Sequence, residues 1–294
     1  MNKPKPHPSG RQFIYPVAED QFVDEGLPRK VFSNSQFNTY RKCPRQYMYA
    51  YLQELKKPPG IALIKGSSIH AGAEVVHLHT IETGKLMSLG EASQHVSEIF
   101  DKEAKKVEDW TINGEEVKPD FVKVRTISNF QVYYTDAVPK IKPIAAEKTF
   151  AVKIGTVPVI GVIDLIDSVP GEYTVDDDPE QPPPEVEVVS DLKTTGRMWP
   201  EAKIRESSQI TLYTIVERTT RGRFDFLLDQ KSGTHYKPRK TTRTLTDKRI
   251  LVEDMEQVVD LIKKGNFPRC DPTLTNWVCT PKWCGYYDLC KGPK

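Results

Sequence analysis

Two short strand-like stretches constrain this chain more than anything else in it. Val159-Ile160-Gly161-Val162-Ile163 is an apolar run that ends on Asp164, and Val188-Val189 leads into Asp191-Leu192-Lys193. Residues two apart on a strand share a face, so Asp191 and Lys193 point together while Leu192 packs behind. A carboxylate on an apolar strand is costly unless it is paired, hydrogen-bonded or bound to metal. Each feature alone has an ordinary reading: Asp164 as the cap of a turn, the triplet as a salt-bridged strand end. Together they bring two carboxylates and one ammonium to one place. Two hard oxygen ligands suit a hydrated Mg²⁺ or Mn²⁺. Such an ion polarises a phosphodiester and lowers the pKa of bound water, and the ammonium can orient that water or stabilise transition-state charge.

The surrounding pattern is α/β. A helix is predicted from Ser33 or Ser35 to Leu55, interrupted at Pro44, with others over 66–83, 89–107, 121–138, 200–219 and 247–264. Strands are predicted over 145–154, 157–169, 187–193, 224–229 and 235–237. Residues 1–30 read as an N-terminal arm, and 31–294 as one domain. Residues 171–185 carry Asp176, Asp177, Asp178 and Pro182-Pro183-Pro184. They form an acidic, Pro-rich surface insertion between strands. The first ten residues lack an apolar signal core, and no run approaches the roughly 18 apolar residues of a membrane helix, so a cytoplasmic, non-secreted protein without membrane contact is expected.

A formal net charge of +2 gives no global field for nucleic acid, so any such contact must be local. The strip from His235 to Arg249 holds Lys237, Arg239, Lys240, Arg243, Lys248 and Arg249 against Asp247 alone. It reads as a DNA-tracking surface or as a solvated charged loop.

The ordered set of short motifs resembles the PD-(D/E)XK nuclease superfamily, and within it the RecB-type nucleases. Gly66-Ser67-Ser68-Ile69-His70 resembles the family's Gly-x-x-x-His helix. Gly161-Val162-Ile163-Asp164 resembles its Gly-x-x-Asp strand, with Glu147 on the strand before. Asp191-Leu192-Lys193-Thr194 resembles the signature itself, and Gln209 with Tyr213 the following Gln-x-x-x-Tyr. The resemblance covers about residues 32–294 and implies a restriction-endonuclease-like mixed central sheet flanked by helices. It implies a metal held by His70, Asp164, Asp191 and the Leu192 backbone carbonyl, with Lys193 as the catalytic lysine. Glu147, Gln209 and Tyr213 are then supporting or DNA-contacting residues. The long insertion between the two carboxylate strands departs from the family's usual short turn.

Five cysteines, an odd number, in a chain without a visible export signal argue against a disulfide framework. Cys270, Cys279, Cys284 and Cys290 crowd into the C-terminal segment 270–294, and Cys43 lies far upstream. This layout resembles the iron–sulfur RecB-type nucleases, the AddB-like and CRISPR-associated adaptation exonucleases, which place one Cys before the nuclease motifs and three after. The resemblance implies Cys43, Cys279, Cys284 and Cys290 as ligands. The gap of four residues between Cys279 and Cys284 departs from the family's Cys-x-x-Cys, which leaves Cys270 as the substitute for Cys279. Four thiolates fit a [4Fe–4S] cluster or a structural zinc, and spacing does not separate the two. Either would form a cap joining the N- and C-terminal regions.

The resulting expectation is a Mg²⁺- or Mn²⁺-dependent DNA exonuclease of recombination, repair or phage DNA processing. A CRISPR-adaptation nuclease is its narrower version, and a non-catalytic DNA-end binding subunit with a structural metal is the alternative. DNA is the expected partner, with a recombinase, helicase or adaptation-complex subunit beside it.

Overall fold

The computed structural model describes residues 17–55, 57–112, 114–171, 184–271 and 278–292. The larger elements are α1 (Asn34–Lys42), α2 (Ile61–Thr83), α3 (Leu89–Ala104), α4 (Pro119–Asp136), β1 (Pro143–Ile154), β2 (Val157–Pro170), β3 (Glu185–Thr195), α5 (Ser208–Val216), β4 (Arg221–Gln230), β5 (Gly233–Thr242) and α6 (Leu245–Lys263). The strands form a five-stranded mixed sheet in the order β1-β2-β3-β4-β5. β2 and β3 are antiparallel, β3 and β4 parallel, β4 and β5 antiparallel. A parallel pair needs a crossover, and residues 196–220 supply it through α5.

The chain divides into two compact units: Met1–Lys57, Thr149–Val162 and Leu245–Lys294 form one, Pro58–Lys148 and Ile163–Thr244 the other. In the second unit, α2 starts directly after Pro58-Pro59-Gly60, earlier than the predicted 66, and stops at Gly84, whose φ of 69° is the left-handed cap that glycine adopts without strain. Ser88 and Glu91 cap α3 reciprocally. The core of this unit joins Ile69, Ala73 and Val76 of α2, Val96 of α3, Phe130 and Tyr133 of α4, Leu165, Leu192 and Leu227. A Cβ at Gly72 would collide with Val96 and Phe130, so glycine there sets the close approach of α2 to its neighbours. Ile69, Leu165 and Leu192 are the sequence neighbours of His70, Asp164, and Asp191 with Lys193. The same burial that builds the core therefore fixes the polar residues beside it.

Two further predicted elements differ. The helix over 200–219 is two pieces, Glu201–Arg205 and α5. The strand over 235–237 extends to Gly233–Thr242, so the start of the basic strip is an edge strand, not a loop. Pro238 and the lysines hid it, yet an edge strand tolerates both. The insertion connects β2 to β3: Pro170 pairs with Glu185, and Gly171 N donates to Pro184 O at 2.8 Å. Its acidic stretch at 172–183 lies outside the described residues.

In the first unit, α1 ends at Cys43, which is extended (φ −162°, ψ 108°), and Pro44 opens the next turn. The residue before a proline is pushed out of the helical region, so Pro44 places the break on Cys43. The end of the predicted arm is packed: Phe22 is fully buried with Val31 and Ala151. Tyr40 Oη donates to Asn266 O at 2.6 Å, Arg45 N to Pro268 O at 3.1 Å and Tyr286 Oη to Leu55 O at 2.7 Å. Stacking of Tyr47 on Phe267 and a tilted contact of Tyr49 with Tyr286 add to this seam between N- and C-terminal segments. No helix among the described residues is long and apolar enough to cross a membrane.

Candidate metal centre and nucleic-acid interface

His70 on α2, Glu147 on β1 and Asp164 on β2 each offer a ligand atom, and these atoms lie within 4.8 Å of one another. His70 Nδ1 is 3.4 Å from Asp164 Oδ2 and 3.7 Å from Glu147 Oε1. His70 Nε2 lies 2.9 Å from the Leu192 carbonyl oxygen. A carbonyl only accepts, so Nε2 carries a proton and donates, and Nδ1 is left facing the carboxylates. The Leu192 N–H in turn donates to Asp164 Oδ2 at 3.0 Å. With its side chain in the core, Leu192 orients both neighbours through its backbone.

Asp191 is fully buried. Its Oδ1 accepts from Lys193 Nζ at 2.8 Å, and its Oδ2 has no hydrogen-bond partner among the described residues. Buried polar atoms are paired in the great majority of cases, so an orphaned carboxylate oxygen marks a place that a cation fits. Lys193 Nζ also donates to Gln209 Oε1 at 3.2 Å, and Gln209 Nε2 donates to Tyr213 Oη at 2.8 Å. Gln209 and Tyr213 sit one turn apart on α5, with Tyr213 buried. The expected trio was His70, Asp164 and Asp191. The close group is instead His70, Glu147 and Asp164, with Asp191 tied to Lys193. The Leu192 carbonyl, expected as a ligand, is engaged by His70.

The electrostatics follow from crowding. Burial, and the carboxylates of Asp191 and Glu147 with it, raises the Asp164 pKa against the pull of His70 and Lys193. Burial opposes the charged form of His70, but Asp164 and Glu147 outweigh it and raise its pKa. Burial likewise opposes the Lys193 ammonium, and Asp191 and Asp164 outweigh it. Three carboxylates facing one imidazole and one ammonium leave an excess of negative charge, the donor chemistry of a hard divalent cation. Glu147 holds a φ of 46°, a left-handed conformation that a non-glycine residue adopts at a cost of about 1–3 kcal/mol. That backbone strain is not visible in a sequence.

A polar layer behind the centre was missed by sequence reasoning. One cavity is lined by His70, Glu74, His77, Tyr133, Ser190 and Asp225. His77 Nε2 is 2.8 Å from Tyr133 Oη, and burial first, then Arg223, lowers the His77 pKa to about 4. Arg223 Nε donates to both oxygens of Asp225, at 2.9 and 3.1 Å, and Arg223 Nη1 to Asp167 at 2.5 Å. The signal was available: Arg223-Phe224-Asp225 has the same charge, apolar, charge spacing on a buried strand as the Asp-x-Lys triplet.

The basic strip divides. Lys237, Arg239 and Lys240 are exposed on β5, and Lys248 and Arg249 belong to α6. Arg243, expected to contact phosphates, is 1% exposed. Its guanidinium donates to Thr211 Oγ1 at 2.7 Å, Thr241 Oγ1 at 2.6 Å and the carbonyls of Thr242 and Ile204, both at 2.8 Å. Those bonds give it a structural role and take it out of the strip.

In the first unit all five cysteines line one cavity, together with Arg45 and Arg269. Burial, and the neighbouring Cys43 and Cys290 thiols, raise the pKa of Cys284, against the Tyr286 backbone and Lys42. Cys270 and Cys279 both face this cavity, so the choice between them stays open in the geometry.

A solved structure described as a putative exonuclease from Eubacterium rectale is similar to this chain at 12% identity and a TM-score of 0.50, covering 86% of this chain and 90% of that one. At that identity the likeness concerns the fold. SSO0001 aligns over 88% of this chain and 97% of its own, at 13% identity and a TM-score of 0.34, too low to carry an argument. No curated protein matches. The model of the PD-(D/E)XK nuclease superfamily matches residues 31–291, which takes in every residue of the centre and all five cysteines. The chain belongs to the PD-(D/E)XK nuclease superfamily.

Proposed function

We propose that this protein is a Mg²⁺- or Mn²⁺-dependent deoxyribonuclease acting as an exonuclease. The observation that carries the reading is the His70, Glu147 and Asp164 group set beside a lysine that Asp191 and Gln209 hold in place. His70 Nδ1, Glu147, Asp164 and the orphaned Asp191 Oδ2 would hold the metal. The Leu192 carbonyl fixes the imidazole by accepting from Nε2, the orienting role that a backbone carbonyl plays behind a ligating histidine. When bound, the metal supplies polarisation of a phosphodiester and a water of lowered pKa. Lys193 keeps a charged ammonium where negative charge develops on the phosphorane-like transition state. Gln209 and Tyr213 keep that ammonium from swinging away. Exonucleolytic action is in keeping with the description of the structural neighbour, and recombination, repair or phage DNA processing with the RecB-type motif order.

In the first unit, Cys43, Cys284 and Cys290 with Cys279 would hold a [4Fe–4S] cluster, with Cys270 as the substitute for Cys279 and zinc as the alternative metal. Arg45 and Arg269 at the cavity wall suit the negative charge of a thiolate-bound centre. The cluster would bolt together a seam already built by backbone and aromatic contacts.

Digestion of single- and double-stranded DNA, labelled at either end, tests the reading in Mg²⁺, Mn²⁺ and EDTA. Metal-dependent release of short products from one end is expected, and none from Asp191→Ala. Activity that persists in EDTA or in that variant overturns it. Tight binding of DNA ends without cleavage in any metal would favour an end-binding subunit.

A further inference from the structure

On the catalytic face of the sheet, Asp191 pairs in register with Phe224 of β4 and Lys193 with Phe226. Paired residues on neighbouring strands point the same way. The two phenyl rings stack on each other at 5.6 Å and 21°. Trp199, in the segment that leaves β3, meets both rings at a steep angle, its centroid 5.5 Å from Phe224 and 5.4 Å from Phe226. Lys203 then sets its Nζ over the Trp199 ring, 3.7 Å from the centroid. An unbroken series of contacts thus runs from the rungs of Asp191 and Lys193 to an exposed ammonium.

Nothing anionic among the described residues answers that ammonium. Lys203 has Glu201 and Glu206 nearby in sequence, and pairs with neither. Burial first, and then the Lys193 ammonium, disfavour its charged form. A flexible lysine free to choose would leave such a neighbour for a carboxylate or for water. The Trp199 face holds it by cation–π attraction instead. An ammonium held on an aromatic face without a counter-charge among the described residues, and joined by ring contacts to the strand rungs of Asp191 and Lys193, describes a site for an anion near the one Lys193 addresses.

We propose that Lys203 binds a backbone phosphate of a polynucleotide adjacent to the scissile one, and that Trp199 is its positioning residue. The assignment rests on the nuclease reading for the identity of the reacting phosphate, but not for the binding itself. It makes the preferred substrate a strand with at least two neighbouring phosphodiesters. Lys203 contributes through the phosphate, so it distinguishes a polymer from a mononucleotide and does not read base sequence.

The test is binding of a fluorescent single-stranded oligothymidylate to the full chain in Ca²⁺, across a range of salt. One lost phosphate contact should weaken binding by about fivefold to tenfold near 0.1 M salt, and reduce the slope of log K against log salt by about 0.7. Lys203→Ala should show both changes, and Lys203→Arg should retain the wild-type slope. Trp199→Leu should reproduce the Lys203→Ala loss, and the double variant should lose no more than either, because both act through one ammonium. An unchanged salt slope in Lys203→Ala, additive losses in the double variant, or no oligonucleotide binding by the wild-type chain overturns the proposal. A slope that falls as expected in a protein that cuts no DNA in any metal would keep Lys203 and reject the nuclease reading.

Discussion

Each of the two units gathers several side chains of a kind that can bind metal, and they do so by different means. In the carboxylate centre the groups are tied to one another within the protein: His70 with Leu192 O, Asp164 with Leu192 N, Lys193 with Asp191 and Gln209, and Gln209 with Tyr213. Around the cysteine cavity the chain segments meet through Tyr40, Arg45, Tyr49 and Tyr286, and the thiols take few bonds of their own: Cys290 with the Tyr49 hydroxyl and Cys284 with the Tyr286 backbone. The physical origin is the donor. Carboxylates and imidazoles are strong hydrogen-bonding groups that a protein can lock in place in advance. Thiols are weak donors and acceptors, and only a soft metal draws them together. On the proposed reading, a metal would serve chemistry in the first case and structure in the second.

The largest expected effect breaks the comparison if it fails. Asp164→Ala and Lys193→Ala should each reduce DNA cleavage by at least about 10³-fold, the scale of losing a group that stabilises transition-state charge. Neither should cost more than a few degrees in Tm, because the leucines and isoleucines beside them hold the fold. EDTA should likewise stop cleavage without unfolding the second unit. Global unfolding in EDTA, read by circular dichroism, would mean that the carboxylate centre is structural after all.

The cysteine cavity should behave in reverse. Anaerobically purified protein should be brown and carry about four irons per chain. Cys43→Ala or Cys290→Ala should bleach it and lower stability by about 3 kcal/mol or more, roughly 10 °C in Tm for a chain of this size. Cys279→Ala and Cys270→Ala separate the two candidates for the fourth ligand, since only the true ligand bleaches. A colourless protein with stoichiometric zinc would keep the structural tie and remove the cluster.

The polar layer behind the carboxylate centre predicts an acid limb in stability. His77 is held neutral beside Tyr133: burial first, and then the Arg223 charge, lower its folded pKa from 6.5 to about 4. The unfolded chain therefore binds the proton more readily. This stability is fully present above about pH 6.5 and is lost as pH falls toward 4, by about 3 kcal/mol in all. Urea unfolding at pH 7, 5.5 and 4.5 measures it, and His77→Gln should flatten that dependence. An identical acid limb in His77→Gln would assign it to other groups.

What the sequence disclosed follows the same division of causes. Asp164, Asp191 and Lys193 were legible because polar residues interrupt buried strands, and the period of two says which way they point. Cys43 was legible as a partner of the C-terminal cysteines only by resemblance, since no local rule connects positions so far apart. Glu147 was named by resemblance alone, as a supporting residue; its place beside His70 and Asp164 goes with a left-handed backbone that no sequence pattern announces. Arg243 read as a phosphate contact because it stands among basic and threonine residues, whereas its burial is decided by Thr211 and Ile204, distant in sequence. The helix break between Glu206 and Ser208 carries no glycine or proline, so tertiary packing alone marks it.

The smallest effect concerns β5 and turns on one residue of register. Phe224 pairs with Arg239 and Phe226 with Lys237, so these two basic residues occupy the same rungs and the same face as Asp191 and Lys193, two strands away. At about 4.8 Å per strand this puts them about 10 Å from the catalytic pair, within reach of the next phosphates of a bound strand. Lys240 is exposed as well, but alternation turns it to the opposite face. Lys237→Ala with Arg239→Ala should therefore reduce the salt slope of duplex binding by up to about 1.8, and Lys240→Ala should leave it nearly unchanged. Arg243→Met should lower stability while leaving the slope alone, because its guanidinium is spent on Thr211, Thr241 and two carbonyls. Equal losses at Lys237, Arg239 and Lys240 would show that β5 acts as a diffuse positive surface, with no preference for the face that carries the metal centre.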